Sequence, residues 1–211
     1  MNLRAFSLRC LLPVAALISI CTAAQASDTL RVEGGKISGT TGSDGRISIY
    51  KGIPFAAPPV GDLRWKAPQP VKKWNGVLAC DHFGPSPMQG DPAPFSMWSA
   101  EFLIPKTPIG EDCLYLNVWA EKQGKPGGKK PVLVWIYGGG FVSGGAGCAI
   151  YDGEATAKKG VVFVSINYRV GAFGFFAHPE LTKESGKNAS GNYGLMDQIA
   201  ALKWVKKNIA Q

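Results

Sequence analysis

The chain has 211 residues, with 23 Lys and Arg against 15 Asp and Glu and a formal net charge of +8 at pH 7. Its 45% hydrophobic and 18% charged content excludes a disordered or fibrous protein and fits a globular one. The lysines are scattered, in pairs such as Lys72-Lys73, Lys129-Lys130, Lys158-Lys159 and Lys206-Lys207, and do not gather on one stripe. That pattern reads as solvated surface and argues against a nucleic-acid partner.

The N-terminus carries Arg4 and Arg9, an apolar run from Cys10 to Cys21, and then Ala24-Gln25-Ala26. These are the charged region, apolar region and small-residue cleavage site of a secretory signal peptide. The run is too short to span a bilayer as a mature helix. Ile20, rather than a small residue, precedes Cys21, which disfavours lipid attachment. Residues 1–26 are therefore expected to be removed after Ala26, giving a secreted or periplasmic protein with no stable membrane anchor.

Residues 29–33, a Gly34-Gly35 turn, residues 36–38, a Ser43-Asp44-Gly45 turn and residues 46–50 read as an antiparallel β start. Prolines and glycines then make 52–70 extended and irregular. Residues 81–110 form a long loop holding Phe83, Phe95, Trp98 and Phe102. Loops of that length inside a domain are usually functional, and the aromatics argue for order. A strand is expected over 114–119 and a polar turn over 123–130.

Residues 132–137 are apolar throughout and mostly β-branched or aromatic, which predicts a strand covered on both faces. Gly138, Gly139 and Gly140 follow and leave main-chain N–H groups unshielded. Two adjacent N–H donors at a strand exit suit the developing oxyanion of acyl transfer. A phosphate cradle would end in Gly-Lys-Ser/Thr, whereas this loop continues Gly144-Gly145-Ala146. By itself the local pattern leaves a loose glycine loop and an oxyanion hole equally open.

A short helix is expected over 155–159 and an uninterrupted apolar strand over 161–167. Leu195, Ile199, Leu202, Val205 and Ile209 recur at helical spacing with Trp204 adjacent, predicting an amphipathic helix over 195–210. Strand, crossover, strand and helix in this order give an α/β class with parallel strands.

Beyond residue 26 three cysteines remain: Cys80, Cys113 and Cys148. An odd count in an exported protein points to one bridge and one leftover thiol. Cys80 and Cys113 flank the Pro- and Gly-rich loop and make the better pair. Closing that loop would contribute about 3–4 kcal/mol by restricting the unfolded chain. No Cys/His cluster has metal-ligand spacing, so no metal and no cofactor are expected. His82 and His178 sit in loops and read as surface or structural groups. Ser143 and Ser165 have no visible base.

Several stretches, taken together, resemble the type B carboxylesterases. Residues 50–61 (YKGIPFAAPPVG) with Arg64-Trp65 resemble the N-terminal signature of that family. Residues 111–119 (EDCLYLNVW) are similar to its cysteine signature. Residues 135–141, 167–171 (NYRVG) and 191–198 (GNYGLMDQ) follow in the same order. The resemblance implies an α/β-hydrolase fold, here its N-terminal half, with a mixed sheet that starts antiparallel and continues parallel. It implies hydrolysis of small-molecule carboxylic esters by a Ser-His-acid triad, and it makes the N–H groups of Gly139 and Gly140 oxyanion donors.

Gly-x-Ser-x-Gly occurs nowhere in these residues. In the family it follows the helix of the Asp-Gln motif, and the acid and histidine come later still. Residues 27–211 are therefore expected to be an N-terminal part that stops before the nucleophile elbow and is inactive alone. A non-catalytic binding or adhesion relative of the same fold is the alternative. The resemblance also implies ion pairs of Arg64 with Glu111 and of Arg169 with Asp197. Trp98 lies where cholinesterases keep a tryptophan for a cationic choline group, but the surrounding loop departs from theirs, so it reads as a substrate-pocket wall. Asn188-Ala189-Ser190 is a glycosylation sequon, relevant only in a eukaryotic secretory pathway. Without the nucleophile-bearing strand, parallel strands such as 161–167 are expected to expose apolar faces and unpaired edges.

Overall fold

The computed structural model describes residues 29–106, 108–122 and 129–211. The expected signal peptide, and most of the expected turn at 123–130, lie outside the described residues.

Among the described residues ten strands follow in chain order: β1 (Leu30–Val32), β2 (Gly35–Ser38), β3 (Thr40–Thr41), β4 (Ile47–Pro54), β5 (Val77–Ala79), β6 (Ser86–Pro87), β7 (Ile109–Gly110), β8 (Tyr115–Glu121), β9 (Val132–Ile136) and β10 (Val162–Ile166). Four α-helices accompany them: α1 (Glu154–Ala157), α2 (Gly171–Phe175), α3 (Pro179–Glu184) and α4 (Tyr193–Asn208). The main sheet has the order β3-β4-β8-β10-β9. It is antiparallel from β3 to β10, and only the last pair, β10 with β9, is parallel. A small sheet, β1-β2-β5, and the two-stranded β6-β7 flank it. The mixed sheet has the order of directions expected from the resemblance.

Alternation along the strands sorts the core onto two faces. Leu116 and Val118 of β8, Val164 and Ile166 of β10, and Tyr50 and Ile53 of β4 pack against Ala201, Trp204 and Val205 of α4. On the opposite face Trp119, Phe163, Ile47 and Ile49 meet Ala157 of α1. Among the described residues no helix is long and apolar enough to cross a membrane.

Two expectations are corrected. The strand at 132–137 is not covered on both faces: Val132, Leu133, Trp135 and Ile136 of β9 are 40, 42, 39 and 38% exposed. The reason is topological. β9 is the edge of the main sheet, while β10, the strand expected to be left bare, lies between β8 and β9 with Val164 and Ile166 fully buried.

The helix prediction is met in extent but not in its buried face. Leu195, Ile199 and Leu202 are exposed, and the inward row is Asp197, Ala201, Trp204 and Asn208. The two rows have the same i, i+4, i+7 spacing displaced by two residues, about 200° around an α-helix. Asp197 decides between them, because its carboxylate is bound to the buried Arg169 and turns its own row toward the sheet.

Candidate active site

β9 and β10 run side by side and leave the sheet together. At their exits the rings of Tyr137 and Tyr168 stack, with centroids 4.4 Å apart and 14° between planes. Each hydroxyl donates to the other residue's carbonyl. Burial pushes both phenols above their ordinary pKa, so both stay neutral donors. The glycine loop therefore begins from a fixed base.

Beyond that base the backbone turns left-handed at three successive residues: Gly139 (φ +109°), Gly140 (φ +61°) and Phe141 (φ +63°). At Gly139 a Cβ would lie 2.1 Å from the Ser143 carbonyl oxygen, so only glycine fits. The N–H groups of Val142 and Ser143 donate to the Gly139 carbonyl, and Gly171 N–H donates to the Phe141 carbonyl at 2.7 Å. A bulky residue in the left-handed region costs of order 1–2 kcal/mol. Here the Phe141 ring is held against Phe175, 5.0 Å between centroids, and near Tyr168. The loop's carbonyls thus turn inward to partners. The N–H groups of Gly139 and Gly140 donate to nothing among the described residues, and both glycines are exposed.

The return arm, residues 144–148, rests on a polar network inside the sheet. Gly52 N–H donates to Asn117 Oδ1, and Asn117 Nδ2 donates to Ser165 Oγ at 2.9 Å. Ser165 Oγ donates to the Ala146 carbonyl, and Asn167 Oδ1 accepts from Ala146 N–H at 2.8 Å. Asn167 Nδ2 reaches the Pro85 carbonyl at 3.0 Å. Sequence reasoning missed Asn117 and Asn167. Both lie in stretches that carry the family resemblance, and each is a polar residue interrupting or ending an apolar strand.

Arg169 and Asp197 form a buried pair with 3 and 0% side-chain exposure, joined by Nε and Nη2 at 2.8 Å each. Burial pushes the Asp197 carboxyl up, and the Arg169 side chain and N–H oppose that rise. Arg169 Nη2 also donates to the Lys66 carbonyl, which ties that residue to the buried pair. Arg64 and Glu111 meet in a two-pronged pair at 2.5 Å, with Arg64 39% exposed. The adjacent Trp65 (φ +55°) donates from Nε1 to the Ala172 carbonyl and lies against Phe176.

Trp98 stands in the exposed part of the loop at 81–110, with Phe102 edge-on to it at 5.4 Å. The expected Cys80–Cys113 bridge is not formed in this structure. Cys80 and Cys113 are free, fully buried thiols in one core cluster, packing there as small apolar groups, and Cys148 is also free. Burial pushes Cys80 up to about 12, Cys148 to about 11 and Cys113 higher still. His82 pairs with Asp81 on the surface, and His178 caps α3 by accepting from Glu180 N–H. Ser143 is exposed at the loop and Ser165 is buried in the polar network. Asn188 is exposed after α3, and Ser190 Oγ of the same sequon bonds to Thr182 and His178. Among the described residues no group of three or more His, Cys, Asp or Glu could hold a metal.

The model of the Carboxylesterase family matches residues 26–211. This chain belongs to the carboxylesterase family. It is 45% identical over 193 residues to a fumonisin B1 esterase of Sphingopyxis macrogoltabida, covering 92% of this chain and 34% of that protein. It is 44% identical over 186 residues to an acetylcholinesterase of Bungarus fasciatus, covering 82% of this chain and 29% of that one. A solved PNB esterase superposes with a TM-score of 0.74 at 39% identity, over 86% of this chain and 35% of that chain. The fold is accordingly the N-terminal half of an α/β-hydrolase. The chain spans about a third of the length of the carboxylesterase relatives it matches.

Proposed function

We propose that the protein hydrolyses carboxylic esters by acyl transfer to a serine, and that residues 29–211 supply the oxyanion-binding half of the site. One observation carries this reading: Gly139 and Gly140 present two neighbouring N–H groups, without a partner among the described residues, on a left-handed turn at the exit of β9. When a nucleophile adds to an ester carbonyl, the oxygen gains a negative charge. Donors already fixed toward that position stabilise it with no reorganisation at the moment of reaction.

The 211 residues contain no Gly-x-Ser-x-Gly. The serine, acid and histidine are assigned to residues of a longer chain. Two surfaces support that assignment: the bare edge of β9, and the exposed row Leu195, Ile199 and Leu202 on α4. Both are apolar, and a further strand and helix would cover them. Export with cleavage after Ala26, and a small-molecule ester as the substrate, belong to the same proposal.

The test is hydrolysis of p-nitrophenyl acetate by the longest reading frame that contains these residues. Turnover with stoichiometric inactivation by an organophosphate is expected. Absence of both would place the protein with non-catalytic relatives of the fold.

A further inference from the structure

We propose that Gln89 is a positioning residue for the oxyanion-binding loop; the proposal rests on the reading of Gly139 and Gly140 given above. Gln89 lies in the loop at 81–110, and its side-chain amide makes three hydrogen bonds. Oε1 accepts from Gly144 N–H at 2.8 Å, and Nε2 donates to the Gly144 carbonyl at 2.8 Å. The second Nε2 hydrogen goes to the Pro87 carbonyl at 2.9 Å. One side chain thereby grips both polar groups of a single glycine 55 residues away, as a neighbouring strand would.

Gly144 is a sensitive point to hold. It is left-handed (φ +116°), and a Cβ there would lie 2.5 Å from the Tyr137 ring and 2.7 Å from the Gly138 carbonyl oxygen. It is seated against the start of the glycine loop as well as its end. Its neighbour Ser143 donates to the Gly139 carbonyl, and the Ser143 carbonyl sits where a Gly139 Cβ would be. A shift at Gly144 therefore passes through one residue to the peptide that carries the oxyanion donors.

Gln89 is itself well founded. Pro87 and Ser86 are buried in β6, which pairs with β7, and Ser86 N–H donates to the Pro108 carbonyl at 2.9 Å. The same loop carries Phe95, Trp98 and Phe102. Gln89 thus joins the loop at 81–110 to the glycine loop through Gly144.

The variant Gln89→Met keeps length and volume and removes all three hydrogen bonds; Gln89→Glu keeps the acceptor and removes both donors. In the full-length enzyme, kcat for p-nitrophenyl acetate per organophosphate-titrated site should fall about 10²-fold, the scale of a roughly 1 Å misplacement. KM should change far less. Amide exchange of residues 138–146 should accelerate in the same protein while that of β8 and β10 stays as in the wild type. Faster loop exchange with wild-type kcat per titrated site would overturn the proposal, and so would unchanged loop exchange. If Gln89→Met does not fold, Gln89→Glu is read by the same two measurements. If the wild type hydrolyses no ester, the functional reading fails, and the exchange rates alone then decide whether Gln89 positions the loop.

Discussion

The Tyr137 hydroxyl donates to the Tyr168 carbonyl at 2.7 Å, and the Tyr168 hydroxyl returns a bond to the Tyr137 carbonyl at 3.2 Å. The pair locks the ends of two parallel strands at the point where the glycine loop begins. Tyr137→Phe leaves a buried carbonyl without its donor, a loss of about 1–3 kcal/mol. Tyr168→Phe removes the longer bond and should cost less. Urea unfolding of the two variants gives the order.

The two ion pairs should differ sharply. Asp197→Ala strands the buried Arg169 guanidinium, at a cost of about 3–5 kcal/mol. Arg64 is 39% exposed, so Glu111→Gln should cost about 1 kcal/mol or less. Equal costs in denaturant melts would contradict the burial argument.

Acid should loosen the turn before β4. Contacts from the Arg46 N–H and guanidinium and from Lys158 hold the Asp44 carboxyl down, from its ordinary 3.8 to about 2. Because the folded value lies below the unfolded one, the contribution to stability is complete above pH 4. It is lost as the pH falls toward about 2. Asp44→Asn should lower the melting temperature slightly at neutral pH and flatten that limb of the profile, so that variant and wild type converge toward about pH 2.

How far these features were legible in the residues depended on whether they were local. β8 and β10 could be read because apolar alternation and β-branching are written along one stretch of chain. The turn at Gly139 and Gly140 was legible because glycine runs at strand exits are rare without a backbone reason. The exposure of β9 was not, since apolarity reports what a strand prefers and not which neighbour stands beside it. The buried face of α4 was misread because its more apolar row faces out, while Asp197 turns its own row inward through a partner 28 residues away. Gln89 left no local signal, because its partner lies across the fold.

The bare edge of β9 and the exposed row on α4 predict self-association of residues 29–211 made alone. Ile199→Glu and Leu202→Glu should reduce light scattering of that fragment and destabilise the longer chain, where the row would be covered. Improved solubility of the fragment with no effect on the longer chain would show that the row faces solvent in both.

The measurement closest to the central claim is kcat for p-nitrophenyl acetate in the longest reading frame, comparing wild type with Gly139→Ala and Gly140→Ala. A Cβ at Gly139 collides with the Ser143 carbonyl, whereas at Gly140 it meets nothing within 4 Å and strains only the left-handed φ. Gly139→Ala should lower kcat about 10²–10³-fold, the scale of losing an oxyanion donor, with Gly140→Ala milder. A folded Gly139→Ala enzyme that turns over at the wild-type rate would contradict the claim that this loop holds the oxyanion.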